Sequence, residues 1–261
     1  MGNVIARRLL LQKVVAQKDL ILCDRNRSKM DNFNKGIEKS TNPLKAIQNA
    51  SIIILAIKPQ DFLALAKEIK DRVSANNLVI SIMAGISLAT LEKSLGNNMA
   101  IVRAMPNLAL QYGLSITGWI ANKKVTPEQK KFVQKLFSLF GEQIELAKED
   151  FVDKVTAISG SGPAYFFYLA ELLEEKAKQF GFSTEVATLL SRYTFFGAVE
   201  VVKNSTSSFV TLKDQVVSKG GTTETALKHL NDNKFREIFQ EGIEKAYVRA
   251  RQLSRSYDGH Q

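Results

Sequence analysis

The sequence predicts an α/β protein with a Rossmann-like, doubly wound sheet in its first half and an all-α second half. The chain has 261 residues, 45% hydrophobic and 24% charged, which is enough apolar material for a buried core. Up to about residue 150, short β-branched runs alternate with polar helical stretches, a pattern typical of parallel strands joined by helices. Strand signals then stop. We therefore predict two domains, residues 1–149 and 150–261.

Six runs in the first half are strand-like. The run Ser51–Ile57 is almost wholly apolar, as expected for a strand covered on both faces. The predicted strands are Asp19–Cys23, Ser51–Ile57, Leu78–Met83, Met99–Arg103, Leu114–Ile120 and Gln143–Leu146. Helices are predicted over Val4–Val15, 26–36, 60–72 and 87–95, and a further helix is predicted to begin at Thr126. There Pro127 suits the first helical position, and Thr126 and Gln129 suit a capping box.

The second half has only helical patterns. A long helix over 163–180 is predicted to end at Gly181, a residue type suited to a C-cap. Ser183 is predicted to cap the next helix, which runs to about 203. Three further helices are predicted over 209–217, 223–232 and 233–255.

Composition excludes several classes of protein. One cysteine cannot form a disulfide framework or a cysteine-based zinc site, and His229 and His260 lie far apart, so no metal site is predicted. No apolar run approaches about 18 residues, and the N-terminus does not have the pattern of a secretory signal, so we expect a cytoplasmic protein without a membrane partner. Motifs for acyl, glycosyl or phosphoryl transfer are also missing.

The net charge of +10 is concentrated in one half. Residues 1–150 carry 22 Lys and Arg against 13 Asp and Glu, whereas the rest of the chain carries 14 against 13. A basic half can attract an anionic ligand such as a dinucleotide, or nucleic acid, although a solvated basic surface explains it equally well. Because the charges are scattered without interleaved aromatic residues, no nucleic-acid partner is predicted.

The N-terminus is similar to part of a dinucleotide-binding unit. Gly2 leads directly into a helix, and the following strand ends in Asp24-Arg25. In such a unit a helix N-terminus faces the pyrophosphate and the end of the second strand meets the ribose. Gly2 would be the last glycine of a G-x-G-x-x-G turn, while the first strand and the first two glycines are absent. A helix and strand with no ligand role is the alternative.

Asp24 and Arg25 favour different cofactors. A carboxylate at this position accepts hydrogen bonds from the ribose of NAD, whereas an arginine pairs with the 2′-phosphate of NADP. With Arg27 and Lys29 following, the sequence favours NADPH slightly, with NADH as the other cofactor and an unliganded charged turn as the alternative.

Further candidates follow three predicted strands at the same edge of the sheet. Lys58 and Pro59 follow the strand that contains Ala56, Ala84-Gly85 follows the next, and Asn107 follows the one after. Open α/β sheets bind ligands at the carboxyl ends of their strands. Each segment alone is more often a loop than a site.

Two glycine-rich segments of the second half run into helices. They are Ser159–Pro163 and Ser218–Thr223. A Gly-Gly-Thr-Thr helix start presents free N–H groups and hydroxyls that can hold a carboxylate. Plain N-capping by Thr or Ser is the alternative.

These motifs resemble pyrroline-5-carboxylate reductases, the enzymes that complete proline biosynthesis. Segments 55–59, 103–107, 155–165 and 212–223 carry the resemblance, and their order and spacing cover nearly the whole chain. The resemblance implies a Rossmann domain, a helical domain that interlocks with a second subunit, and hydride transfer from NADPH or NADH to the C=N carbon of a cyclic imino acid. Dimers of the family often assemble further.

The resemblance also implies roles for individual residues. Thr156 and Thr223 would orient the substrate, and the carboxylate cradle would be supplied by the partner's helical domain. The cofactor-binding residues implied are Gly2, Asp24, Arg25, Ala56, Lys58, Pro59, Ala84, Gly85 and Asn107. The substrate-binding residues implied are Ser218, Gly220, Gly221, Thr222 and Thr223.

The chain departs from the family pattern at the N-terminus, where the family has an apolar strand followed by a Gly-x-Gly-Asn-Met-Gly-like turn. Lys219 also stands where the family has proline. Two alternatives therefore stand beside an active reductase. One is a truncated, non-catalytic dimeric relative, and the other is a nicotinamide enzyme of the β-hydroxyacid dehydrogenase type.

Overall fold

A computed structural model describes residues 1–258, which form two compact units. One unit comprises Met1–Ser161 together with the C-terminal segment from Ala246, and the other comprises Gly162–Lys245. The predicted domain boundary after residue 149 stays a prediction, because a compact unit and a functional domain need not share their limits. His260 lies outside the described residues.

Seven strands form in the first unit, all six that the sequence predicts and one more. The strand that the sequence misses has the polar residues Glu38-Lys39-Ser40 and no hydrophobic alternation. The strands are β1 (Ile21–Cys23), β2 (Glu38–Ser40), β3 (Ile52–Leu55), β4 (Leu78–Ser81), β5 (Ala100–Met105), β6 (Ser115–Ala121) and β7 (Gly141–Glu145).

The strands form two sheets, β1-β2 and β3-β4-β5-β6-β7. All pairs are parallel except β5 with β6, where Met105 lies opposite Gly118. The expectation of parallel strands is therefore wrong for this pair. Only residues 106–114 separate β5 from β6, which is too short for a parallel crossover.

Helix α1 (Gly2–Leu11) packs against both sheets. Its Ile5 and Leu9 belong to the core cluster that contains β4 and β5 residues, while its Ala6 packs with Leu22 of β1. Among the described residues, β1 and β3 each have one edge without a strand partner. One helix over two separate sheets is the arrangement expected of a Rossmann sheet that lacks a strand between them.

Residues 12–161 of the first unit form five more α-helices. Thr126 makes the predicted capping box with Gln129. The helix predicted over 26–36 is wrong, because only a 3-10 turn forms at Arg27–Met30, where the Asn26 side chain accepts the Ser28 N–H. The helices are α2 (Pro43–Ile47), α3 (Phe62–Ile69), α4 (Leu88–Leu95), α5 (Pro127–Ser138) and α6 (Asp150–Val155), of which α2 and α6 are not predicted from the sequence.

The second unit is entirely helical. Ser183 caps its second helix as predicted, and Gly181 has a positive φ of 94°. Its helices are α7 (Gly162–Gln179), α8 (Thr184–Lys203), α9 (Phe209–Gln215), α10 (Thr222–Asp232) and the first part of α11 (Phe235–Asp258). No helix within residues 1–258 is both long enough and apolar enough to cross a membrane.

Candidate active site

The start of α1 lies close to the loop that follows β3. A Cβ atom on Gly2 would be 3.1 Å from the Ala56 Cβ, so glycine permits this approach. No side chain caps α1. Its first N–H groups therefore remain available to an anion, which suits the predicted pyrophosphate position.

The charged turn after β1 is held beside the start of α1. Asp24 Oδ1 accepts the Asn26 N–H at 2.9 Å, and its Oδ2 lies 3.3 Å from Lys29 Nζ. Asn3, in the first turn of α1, donates through Nδ2 to the Lys29 carbonyl at 2.9 Å. These contacts fix the Asp24 carboxylate next to the helix start.

Arg25 connects this turn to the loop after β3. Its Nη2 is 2.8 Å from Asp61 Oδ2, and Asp61 ends the 3-10 turn that begins at Pro59. Lys58 precedes that turn and is exposed. Because the Arg25 side chain is 83% exposed, its ion pair is weak and can be exchanged for a phosphate.

Gly85, in the loop after β4, is approached by the C-terminal helix. Its φ is +72°, and a Cβ there would lie 2.7 Å from the Leu253 Cβ. Packing against α11 therefore explains the glycine without a ligand. The cofactor role of Gly85 and of its neighbour Ala84, which is half-buried, stays a prediction.

Asn107 is buried at the end of β5, with 9% of its surface exposed. Its Oδ1 accepts the Ala109 N–H at 3.0 Å, and its own N–H donates to Ser115 Oγ at 3.1 Å. The carbonyl oxygen is thus engaged by the protein. Asn107 has its side-chain N–H groups to offer a ligand.

Thr156 opens a π-helical turn, Thr156–Gly160, directly after α6. Its hydroxyl donates to the Val152 carbonyl at 2.8 Å, and its own carbonyl accepts the Ser161 N–H at 2.8 Å. Such turns are frequent at functional sites. With its proton engaged, the Thr156 hydroxyl can act toward a ligand as an acceptor.

In the second unit, the segment Ser218–Thr223 ends in an uncapped helix start. The Gly221 N–H donates to the Ser218 carbonyl at 2.9 Å, and Gly220 has a φ of +73°. Helix α10 begins at Thr222 with no side-chain cap, so the plain N-capping alternative is wrong. The first-turn N–H groups, beside half-buried Thr223, can donate hydrogen bonds to a carboxylate.

Glu224 is a residue of the candidate cradle that the sequence reasoning missed. Its Oε2 accepts the Gly220 N–H at 2.6 Å, within the predicted cradle. An acidic residue in the first turn of a helix that directly follows a glycine pair is the signal that could have revealed it.

Cys23, at the end of β1, is a free thiol beside Asp24. Burial raises the pKa of this thiol, and the carboxylates of Asp24 and Glu68 raise it further. Cys23 is therefore protonated near neutral pH and is a poor nucleophile.

Comparisons with known proteins identify the family of this chain. Residues 149–253 match the family model for pyrroline-5-carboxylate reductase dimerisation, and residues 1–85 match one for NADP oxidoreductase, coenzyme F420-dependent. The pyrroline-5-carboxylate reductase of Vibrio alginolyticus is 34% identical over 85% of this chain and 82% of its own length. This chain belongs to the pyrroline-5-carboxylate reductase family.

Relatives and solved structures match along almost the whole chain. The Synechocystis pyrroline-5-carboxylate reductase is 32% identical over 98% of this chain and 95% of its own. A Coxiella burnetii pyrroline-5-carboxylate reductase structure has a TM-score of 0.84 and 34% identity, covering 97% and 94%. A Plasmodium falciparum pyrroline carboxylate reductase structure, with NADP bound, has a TM-score of 0.86 and 29% identity, covering 97% and 94%.

Proposed function

We propose that this chain is an NAD(P)H-dependent oxidoreductase that reduces the C=N bond of 1-pyrroline-5-carboxylate to L-proline. The observation that carries the proposal is the uncapped Gly-Gly-Thr-Thr helix start, which lies within the segment that matches the reductase family. The β-hydroxyacid dehydrogenase alternative is not favoured, because relatives that share about a third of the sequence are pyrroline-5-carboxylate reductases.

The residues present fit the adenosine and phosphate end of a dinucleotide. The open start of α1 at Gly2 suits a pyrophosphate, and Asp24 suits a ribose hydroxyl. Arg25 and Lys29 favour a 2′-phosphate and hence NADPH over NADH. When bound, the cofactor supplies the hydride. Asn107, with its free amide N–H groups, is our candidate for holding its nicotinamide end.

The substrate carries a carboxylate and, when protonated, an electrophilic iminium. The N–H groups at the start of α10 and the Thr223 hydroxyl hold the carboxylate. The Thr156 oxygen, whose proton is donated to Val152, accepts a hydrogen bond from the iminium N–H. These groups orient the ring and exclude water, and no side chain is required as an acid for an imine that is already protonated.

The working form that we propose is a homodimer. Residues 149–253 match a dimerisation family, and the second unit exposes many large apolar side chains. In this proposal the cradle Ser218–Thr223 of one subunit serves the cofactor of its partner. Location in the cytoplasm stays a prediction.

The proposal is tested by mixing the purified chain with pyrroline-5-carboxylate and NADPH. We expect the absorbance of the reduced nicotinamide to fall and proline to form in equal amount. Absence of turnover would contradict the proposal. The non-catalytic alternative is separated from it by NADPH titration, because that alternative predicts no micromolar binding.

A further inference from the structure

The most buried charge described in the chain is Arg103, in the middle of β5. Only 2% of its side chain is exposed. Its Nη1 lies 2.8 Å from Glu149 Oε1, and its Nη2 lies 2.5 Å from Asp153 Oδ1. Ser254 of α11 donates to the same Asp153 oxygen at 3.3 Å. We call these four side chains the Arg103 network.

The network joins the start of α4 to β5 and to α6. Glu149 Oε1, besides binding Arg103, accepts the Leu88 N–H at 2.7 Å, which fixes the start of α4 just after Ala84-Gly85. Asp153 belongs to α6, which leads into Thr156 three residues later. Arg103 itself lies four residues before Asn107.

Beyond the network, the ends of β5 and α6 meet directly. A Cβ atom on Gly160 would lie 2.8 Å from Met105 Cε and 3.7 Å from Thr156 Cγ2. The side chain of Met105 therefore rests against the π-helical turn. Any sliding of α6 along β5 would move Thr156 relative to Asn107.

Stability alone is a poor explanation for this network. Buried ion pairs are often no more stabilising than well-packed apolar side chains, because the charges must be removed from water. Arg103 Nε is also buried without a hydrogen-bond partner among the described residues, so the network is incompletely satisfied. What a forked guanidinium does supply is a fixed geometry for two carboxylates at once.

We propose that Arg103 is a positioning residue for hydride transfer. Through Glu149 and Asp153 it holds the end of β5, the start of α4 and the end of α6 in one arrangement. This arrangement sets Thr156, which orients the imine, against Asn107, which holds the nicotinamide end. The inference rests on the proposed function and adds a residue that touches neither substrate nor cofactor.

The test uses Asp153→Asn, which keeps the side-chain shape and removes the charge that Arg103 binds. We expect kcat to fall at least tenfold while the Kd for NADPH changes less than threefold, since the cofactor's phosphate end lies elsewhere. A matched control is Leu136→Ala. It truncates a buried side chain of α5 that is not part of the network. Leu136→Ala should lower the thermal midpoint at least as much as Asp153→Asn does. Its kcat should stay within twofold of that of the unchanged chain.

Amide hydrogen exchange supplies a readout that does not depend on turnover. In Asp153→Asn the amides of residues 156–161, including the Ser161 N–H that closes the π-helical turn, should exchange at least tenfold faster. In Leu136→Ala they should not. If the unchanged chain fails to reduce the imine, the proposed function fails, while exchange still decides whether the network holds the turn.

If the single substitution unfolds the chain, a double variant provides the test instead. The double variant Arg103→Met with Asp153→Leu removes the most buried ion pair, leaves Glu149, whose side chain is 31% exposed, and should stay folded. Its kcat should still be at least tenfold low. The inference is overturned if Asp153→Asn or the double variant keeps the original kcat, or if Leu136→Ala lowers kcat equally.

Discussion

The two units of this chain bury their side chains very differently. The first unit holds three clusters of buried apolar residues, including fully buried Trp119 and Phe62. In the second unit, Gly162–Lys245, only Gly162, Ala177, Ala187 and Ser191 are buried, although its helices are rich in aromatic residues. The first unit can be stable through its own core. The second has its apolar surface directed outward, where another surface must cover it.

This difference indicates where each unit keeps its function. The first unit has loops and helix starts held by internal hydrogen bonds, as at Asp24, Asn107 and Thr156. The second unit has an open helix start at Thr222 and exposed rings such as Phe196, which is 55% exposed. Binding by the first unit should therefore persist in a monomer, whereas the role of the second unit should require pairing.

The largest expected effect comes from placing a charge on the apolar face of α8. Phe196→Asp should raise the dimer Kd about a hundredfold or more, the scale expected for an anchor residue of an interface. Sedimentation velocity measures it. Glu200→Gln, one turn further along the same helix, is the matched control and should leave the dimer intact. If Phe196→Asp remains dimeric at micromolar concentration, this face is not the interface.

The next effect concerns the proposed carboxylate cradle. Thr223→Val should lower kcat/KM for the imine by about tenfold or more, because a hydrogen bond to a charged group is lost. Thr225→Val is the control on the same helix, since the Thr225 hydroxyl donates to the Gly221 carbonyl at 3.0 Å. Steady-state kinetics at saturating NADPH measure both. Equal losses in the two variants would remove Thr223 from the site.

A smaller effect is expected for cofactor choice in the first unit. Arg25→Ala should raise the Kd for NADPH about fivefold and leave the Kd for NADH unchanged, because only NADPH carries a 2′-phosphate. Asp61→Asn frees Arg25 from its ion pair and should not weaken NADPH binding. Fluorescence titration of each reduced cofactor measures this. A parallel loss for both cofactors would contradict the phosphate role.

The smallest effect is on stability, at the exposed carboxylate Asp150. Lys154 and, to a lesser extent, Tyr247 donate hydrogen bonds that hold the pKa of Asp150 below its ordinary value of 3.8. A lowered folded pKa means that the stabilisation is present above pH about 4 and is lost as the pH falls through the folded pKa. Asp150→Asn should therefore cost less than about 1 kcal/mol at pH 7.

Chemical denaturation at pH 7 and at pH 2.5 checks this prediction. The difference between Asp150→Asn and the unchanged chain should be smaller at the lower pH, because protonation of Asp150 removes the charge that Lys154 binds. A difference of the same size at both pH values would show that the side chain acts through packing rather than through its charge.

Much of the fold could be predicted from periodicity and capping residues. The apolar run that contains β3 and the Thr126–Gln129 capping box led to correct elements because local sequence and tertiary packing agree there. The polar strand β2 could not be found, since it forms by pairing with β1 and carries no alternation of its own. The antiparallel direction of β6 follows from the short connection between β5 and β6. A search for strands alone does not take connection length into account.

The candidate site was predictable as a set of positions but not as contacts. Gly2 could be named because it lies at a helix start, and Asp24 and Asn107 because they follow strand ends. The ion pair of Arg25 with Asp61, and the part played by Glu224, depend on loop geometry. The approach of Leu253 to Gly85 joins residues far apart in sequence, so no local pattern could reveal it.

The unpaired edges of β1 and β3 bear on any measurement of assembly. An exposed strand edge is a template onto which a foreign strand can add, and natural proteins block such edges with charged gatekeeper side chains. β3 instead begins at Ile52, which is 37% exposed. Growth of aggregates through these edges would add mass in solution without involving the helical face. Ile52→Lys should suppress that growth, so that the mass measured in solution reports the helix-mediated dimer alone.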